Sequence, residues 1–237
     1  MSEKSYLVFD LETVVNDAVW SPPPEAPETF PPQFAHRVIA ACALWLDEHL
    51  HVTRLGIIGE GKDEKGILGD LSSFVEKHRP VIVTYNGRTF DLPVIAHRAI
   101  EHGIPLRWYF QGKGYRYRYS EDGHYDLCDQ ISEFGAARAP SLDVVCRLMG
   151  LPGKFEFEGA EVGRLHAEGR MAEIHVYCLL DVIQTAFLFL RHKLVTGSID
   201  REAYRKAASL LLDTVAKDGR FEPFMTKIDR KLLLLEE

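Results

Sequence analysis

The sequence predicts an α/β domain built on a mixed sheet flanked by helices. Three observations carry that reading: strand-like apolar runs crowd into the first 85 residues, helical periodicity dominates from residue 64 onward, and one strand falls between two of the helices. The run Tyr6-Leu-Val-Phe9 stops at Asp10 and reads as a buried central strand. Residues 21–32 hold six of the twelve prolines and must be a loop or an extended excursion. Residues 38–46 and 52–58 read as two strands joined at Asp47-Glu48-His49, which with the first strand makes an antiparallel meander.

Helices then take over. Ile67, Leu68, Leu71, Phe74 and Val75 fall at helical spacing within residues 64–78. Residues 81–85 form the next strand and end at Asn86-Gly87, after which residues 92–101 form a helix closed by Gly103 and Pro105. Residues 107–140 look irregular and rich in aromatics and glycine. Ser141 caps a short helix that ends at Met149, before Gly150 and Pro152. Residues 171–194 keep helical periodicity over six turns, residues 201–217 form a further helix, and the last twenty residues read as a tail. The expected organisation is one domain over residues 1–197, with a helix and tail at 198–237 packed on it or extending from it.

At 237 residues, 46% hydrophobic and 27% charged, the composition is that of a globular chain and excludes disordered or collagen-like classes. Lys+Arg 28 against Asp+Glu 35 leaves a formal charge of −7, which argues against gripping long nucleic acid by charge alone. Cys42, Cys128, Cys146 and Cys178 show no CxxC spacing, so a disulfide framework or zinc site is not expected. The N-terminus lacks an apolar segment of signal type, and Asp181 and Gln184 interrupt the most apolar stretch. A soluble, cytoplasmic protein without membrane attachment is the expectation.

The chemistry is concentrated in three places. Asp10 and Glu12 stand at i and i+2 where the first strand ends, so both carboxylates face one side. Like charges that close raise a pKa unless a cation lies between them. At residues 84–95 a strand runs into Asn86-Gly87 and then Phe90-Asp91; taken alone, Asp91 reads equally as an N-cap and Phe90 as core. Tyr177 and Asp181 stand at i and i+4 in the long helix and share a face. Asp181 has apolar neighbours in sequence, so it needs a partner unless it lies on an exposed stripe with Gln184 and His192. Together, four carboxylates and a phenol suit two divalent ions about 4 Å apart, the arrangement that serves in-line phosphoryl displacement. An all-oxygen donor set favours Mg²⁺ or Mn²⁺ over zinc.

These three segments resemble the three exonuclease motifs of the DEDD superfamily of 3′–5′ exonucleases, which have a ribonuclease-H-like fold. The Asn-x-x-x-Phe-Asp form at Asn86 to Asp91 is similar to the proofreading domains of family-B DNA polymerases, and in particular to stand-alone predicted polymerase-B-like exonucleases. The resemblance extends from Tyr6 to about Leu194 and takes in HYDLCD, SLDVVCRLMGLPGK and YCLLDVIQTAFLFLR. It implies a mixed five-stranded sheet. Tyr177 stands four residues before Asp181, as in the tyrosine subclass; the histidine subclass would need His where Val176 stands.

The resemblance also implies roles. Asp10 would bridge two metal ions, Glu12 and Asp181 would complete the ion holding the attacking water, Tyr177 would orient that water, and Asp91 would hold the second ion. Leu11 and Thr13 would meet the terminal nucleotide, and Asn86 and Phe90 the penultimate one. The expected activity is release of nucleoside 5′-monophosphates from the 3′ end of single-stranded DNA or frayed ends. RNA ends are the alternative substrate, and a non-catalytic nucleic-acid-binding protein is a more distant one. No polymerase domain is expected in the 40 residues after Gly197. Arg107, Lys113, Arg116 and Arg118 alternate with aromatics. If residues 115–119 are a strand, the tyrosines share one face for stacking bases and the arginines the other for phosphates; the other reading is tyrosines packed on the sheet with solvated arginines. Asp126 and Asp129 read as structural or capping residues, with a supporting part in the metal site as the alternative.

Overall fold

The computed structural model describes residues 4–111, 114–154 and 161–236. Lys113, one of the basic residues singled out above, lies outside the described residues. The chain runs through β1 (Tyr6–Val15), β2 (His36–Leu46), β3 (Val52–Ile57), α1 (Glu64–His78), β4 (Val81–Thr84) and α2 (Asp91–His102). Short α3 (Arg107–Phe110), β5 (His124–Asp126) and α4 (Leu127–Ile131) follow. The remainder is helical: α5 (Leu142–Leu148), α6 (Val162–Ala167), α7 (Met171–Val195), α8 (Arg201–Val215), α9 (Glu222–Met225) and α10 (Arg230–Leu234). The five strands form one mixed sheet in the order β3-β2-β1-β4-β5. The meander of β1 with β2 and β2 with β3 is antiparallel, whereas β4 pairs parallel with β1 and β5 with β4.

Both faces of the sheet are covered, which explains why β1 and β4 read as uninterrupted apolar runs. Tyr6, Val8, Val81 and Val83 enter a core shared with α5, α7 and α8. Leu7, Phe9, Leu11 and Ile82 enter a second core under α1, α2 and Trp108 of α3. Alternation along β1 therefore places Asp10 and Glu12 on the face covered by α7. α7 is long and apolar enough by composition to cross a membrane, but most of it is buried within the fold, and its apolarity is accounted for by packing.

Four expectations are corrected. β1 does not stop at Asp10: it continues to Val15 because β2 pairs with it as far as His36. The middle of the chain is not wholly irregular, since β5 and α4 lie within it; a three-residue strand is too short for periodicity to reveal. Residues 115–119 are turns, not a strand, so no common tyrosine face exists. Tyr115 is buried with its hydroxyl donating to the Pro80 carbonyl at 2.7 Å, while Tyr117 and Tyr119 are exposed.

The presumed tail is also structured. Phe221, Phe224 and Leu233 are fully buried in the α7–α8 core. Arg191 of α7 and Arg205 of α8 donate to the carbonyls of Leu233 and Leu234 at 2.8 and 2.9 Å, satisfying acceptors that the end of α10 leaves open. Phe224→Ala should therefore destabilise the protein by about 3–5 kcal/mol, the usual penalty for emptying a buried aromatic site. Urea denaturation checks this, and a change below about 1 kcal/mol would show that α9 is peripheral.

Candidate active site

Parallel pairing between β1 and β4 ends at Val8 with Val83, and β4 itself ends one residue later at Thr84. Beyond that point β1 keeps its partner β2 on one edge only, and the turn leaving β4 comes alongside Asp10. The register between β1 and β2 shifts at Glu12/Thr13, a bulge that re-aims the side chains there.

The turn is built to a narrow specification. Asn86 is left-handed (φ 67°), a conformation asparagine tolerates. A Cβ on Gly87 would come within 2.6–2.8 Å of the Thr84 side chain, so only glycine fits. Asp126, at the end of β5, accepts from the backbone N–H groups of Asn86 and Arg88 at 2.8 Å each and also caps α4 through Cys128 at 3.0 Å. Asp129 accepts from Arg88 Nε at 3.0 Å and pairs with Arg118. Both aspartates thus hold the turn, in keeping with a structural and capping role, and neither lines the cavity below.

Asp91 is the first residue of α2 rather than its cap. Phe90 occupies the cap position and offers no side-chain hydrogen bond. Asp91 is buried, and its Oδ1 has no hydrogen-bond partner. On α7, Tyr177 and Asp181 face the same space. Asp181 does not belong to an exposed stripe: Gln184 is buried and accepts from Gly153 N–H at 2.9 Å, and His192 meets the Tyr125 hydroxyl at 2.9 Å.

A cavity of about 350 Å³ gathers Asp10, Glu12, Asp91, Tyr177 and Asp181. Leu11, Asn86 and Phe90 also line it; Thr13, Arg116 and Arg118 do not. Thr13 Oγ1 is instead 2.8 Å from His36 Nδ1. The Arg116 guanidinium lies over the Tyr109 and Phe110 rings, at 5.9 and 5.2 Å from their centroids, and that of Arg118 is committed to Asp129. Phe30, Gln33, Tyr85 and Thr89 also line the cavity and were not evident from sequence. Phe30 and Gln33 come from the proline-rich excursion and the short 3₁₀ turn after it, which no local pattern ties to a site.

The electrostatics are those of repelling carboxylates removed from water. Burial drives Asp10 well above the ordinary carboxylate range, with the charges of Asp91, Glu12 and Asp181 adding to it. Burial does the same to Glu12, assisted by Asp181. Burial lifts Asp91 to about 7, against the pull of the backbone amides of Asp91 and Leu11. Asp181 is also lifted by burial to about 7, opposed by Tyr177 and by the Lys154 ammonium. Lys154 is a cation the sequence flagged only as part of a motif. Asp143 positions it by accepting from its backbone N–H at 2.8 Å.

Cys178 adds a sulfur behind the carboxylates. One ligand atom each from Asp10, Glu12 and Cys178 lies within 4.8 Å of the others, and the thiol donates to the Asp10 carbonyl at 3.5 Å. The donor set facing the cavity is nonetheless all oxygen, and the orphaned Oδ1 of Asp91 and the raised carboxylates are what a hard divalent cation would satisfy.

The mixed five-stranded sheet with its flanking helices is the ribonuclease-H-like fold of polymerase exonuclease domains, and carboxylates converge on it from its first strand, a strand–helix turn and a late helix. The chain belongs to the family described as predicted 3′–5′ exonucleases related to the exonuclease domain of PolB, which matches residues 28–230. That span includes Asp91, Tyr177 and Asp181 and begins after Asp10 and Glu12. The fold is similar to that of the family B DNA polymerase from the hyperthermophilic archaeon Pyrobaculum calidifontis, with a TM-score of 0.56 and 18% sequence identity. The similarity covers 90% of this chain and 29% of the polymerase. No curated protein matches the sequence.

The shifted carboxylates make a pH prediction. Folded Asp91 titrates at about 7 against an ordinary value of 3.8, so between those values the folded state holds more protons than the unfolded. Its contribution is most favourable below the unfolded pKa and is lost as pH rises through the folded one. In EDTA, Asp91→Asn should therefore melt higher than wild type at pH 8, by about 2–4 °C per kcal/mol of charge-burial penalty relieved. The gap should close by pH 4. A gap independent of pH would rule out a raised carboxylate.

Proposed function

We propose that this chain is a metal-dependent 3′–5′ exonuclease of the tyrosine-bearing DEDD subclass, removing nucleoside 5′-monophosphates from the 3′ end of single-stranded DNA. The observation that carries this reading is the convergence of four carboxylates on one cavity while Asp91 Oδ1, buried there, lacks any partner. Asp10, Glu12, Asp91 and Asp181 would hold two Mg²⁺ or Mn²⁺ ions. When bound, the metal pair supplies an activated water and screens the charge developing on the phosphate.

The protein's own groups position and orient. Burial, with the charges of Asp181, Glu12 and Asp10 behind it, drives the Tyr177 phenol far above its ordinary value. Tyr177 therefore stays protonated at neutral pH and serves as an oriented hydroxyl, not as a base. Leu11 and Asn86 bound the cavity where the end of a strand would enter, and Phe90 offers an apolar surface beside Asp91. Neutralising four carboxylates leaves a formal charge of about −3 by the sequence count, compatible with gripping only a few nucleotides. Thr13, held by His36, is proposed to meet the terminal nucleotide from the edge of the carboxylate cavity, and Arg116 and the half-exposed Arg118, held by Asp129, to meet phosphates of the incoming strand beside Tyr117 and Tyr119. Catalysis is assigned to residues 1–197, with 198–237 as supporting structure.

The test is a gel assay of 5′-labelled single-stranded DNA and RNA of matched sequence with Mg²⁺, Mn²⁺ or EDTA. A metal-dependent ladder shortening from the 3′ end is expected, faster on DNA and absent in Asp10→Ala. Tyr177→Phe should lower kcat by about 100-fold, the effect of removing one oriented hydroxyl. A faster RNA ladder would reassign the substrate, and no ladder on either strand would overturn the nuclease reading.

A further inference from the structure

At the end of the sheet opposite the carboxylates lies a second, larger cavity of about 600 Å³, which shares no lining residue with the first. Tyr6 at the start of β1, Leu50 of the β2–β3 turn and Lys193 of α7 form its buried wall. Lys193 lies about 18 Å along α7 from Asp181, at about 1.5 Å per residue. The turn is held in place: Leu50 is left-handed (φ 63°), and Asp47 Oδ1 accepts from the backbone N–H groups of His49 and His51 at 2.9 and 2.8 Å. Lys193 is only 8% exposed, and among the described residues that line the cavity it is the one buried charge. Its Nζ lies 4.2 Å from the Tyr125 ring centroid and 5.3 Å from that of Phe189. No described residue gives it an ion pair or a side-chain hydrogen bond. The rings and the C-terminal end of α7 favour a positive charge there, but they do not neutralise it. Burial pulls the ammonium below the ordinary lysine pKa, and Glu121 and Asp122 oppose this only from beyond ion-pair distance.

We propose that this cavity binds an organic phosphate monoester, its phosphate seated on Lys193. The charges of the wall are sorted by depth. Lys4 and Lys206 stand at the exposed rim together with Glu48 and Glu121. Lys4 is paired with Asp122 at 3.0 Å, and Glu48 lies 3.7 Å from His49. The rim charges therefore largely offset one another, while the charge at depth is positive and lacks a counter-ion. A buried ammonium without an anion is costly, and a bound anion removes that cost. No arginine lines the cavity. Lysine meets phosphate as a point charge, whereas a carboxylate is matched best by the planar arginine fork. Orthophosphate alone would fill a small part of a cavity whose volume is typical of small-molecule sites. Tyr6, Leu50 and Ile199 bound the remainder, so the ligand presents an uncharged body to them.

The experiment is isothermal titration calorimetry of the full chain in EDTA, where the metal-free carboxylates repel anions. The probes are adenosine 5′-monophosphate, ribose 5-phosphate, inorganic phosphate and adenosine. Saturable binding of at least one of the two monoesters is expected, tighter than that of inorganic phosphate, with none for adenosine. The tighter monoester then identifies the body the cavity prefers, nucleoside or sugar. Lys193→Met keeps the length of the stem and removes the charge. It should weaken binding by about 10- to 150-fold, the worth of one charge-assisted hydrogen bond. Lys206→Glu, at the exposed rim, should weaken binding in the same direction and carries the test without touching the core. Asp10→Ala should bind the monoester as wild type does, because the two cavities are separate. The monoester should also raise the melting temperature of wild type but not that of Lys193→Met, and circular dichroism verifies that each variant folds. No saturable binding of either monoester, or inorganic phosphate bound as tightly as both, would overturn the proposal. So would binding unchanged in folded Lys193→Met or Lys206→Glu, or binding abolished by Asp10→Ala, which would place the ligand among the carboxylates.

Discussion

The parallel pairing of β1 with β4 ends at Val8 and Val83, and the candidate site exists because it ends there. Up to that pair, β1 is a doubly buried strand with neighbours on both edges. Past it, one edge is released, and the Asn86–Asp91 turn occupies the freed space. Period-2 alternation had already committed Asp10 and Glu12 to the face covered by α7. Tyr177 and Asp181, one helical turn apart, then need only the correct rotation of α7 to arrive opposite them. The deeply buried run from Cys178 to Leu190, broken only by the half-buried Asp181, supplies that rotation.

Such a cluster opposes folding. Four carboxylates share about 350 Å³; burial raises all their pKa values, and the neighbouring carboxylates raise those of Asp10 and Glu12 further. The surrounding structure over-determines their positions. Asp126 spends its acceptors on the backbone of the turn, Gly87 lets that turn approach Thr84, and the C-terminal helices add three fully buried side chains to the core behind α7. The same arrangement separates two kinds of acidic residue. Asp126 and Asp129 are satisfied by donors and hold structure, while Asp91 keeps an unpartnered oxygen and is left for chemistry.

The proline-rich excursion fits the same logic. A segment with few backbone donors and preset φ angles can cross a polar site without demanding hydrogen bonds from it. Two anchors, His36 on Thr13 and Gln33 on Thr89, tie it to elements that bear the carboxylates, so its placement and the geometry of the site are coupled.

Much of this was legible in the sequence because it is local. Spacing of two in a strand and of four in a helix decides which side chains share a face, and those two periods single out Asp10 with Glu12 and Tyr177 with Asp181. The strand meander and the extents of α1, α2 and α7 follow from the same periodicities and, for α2 and α7, from the glycines at 103 and 197 where they stop. What only the tertiary structure decided is where non-local partners meet. The extension of β1 to Val15 depends on its pairing with β2; β5 is a three-residue strand defined wholly by its pairing with β4; and the final residues are core because α7 and α8 present a surface to them. The commitment of Arg118 to Asp129, the freedom of Asp91 Oδ1 and the arrival of Phe30 at the cavity likewise join residues distant in the chain. Periodicity encodes direction from the local backbone; it carries no record of which distant surface that direction will face.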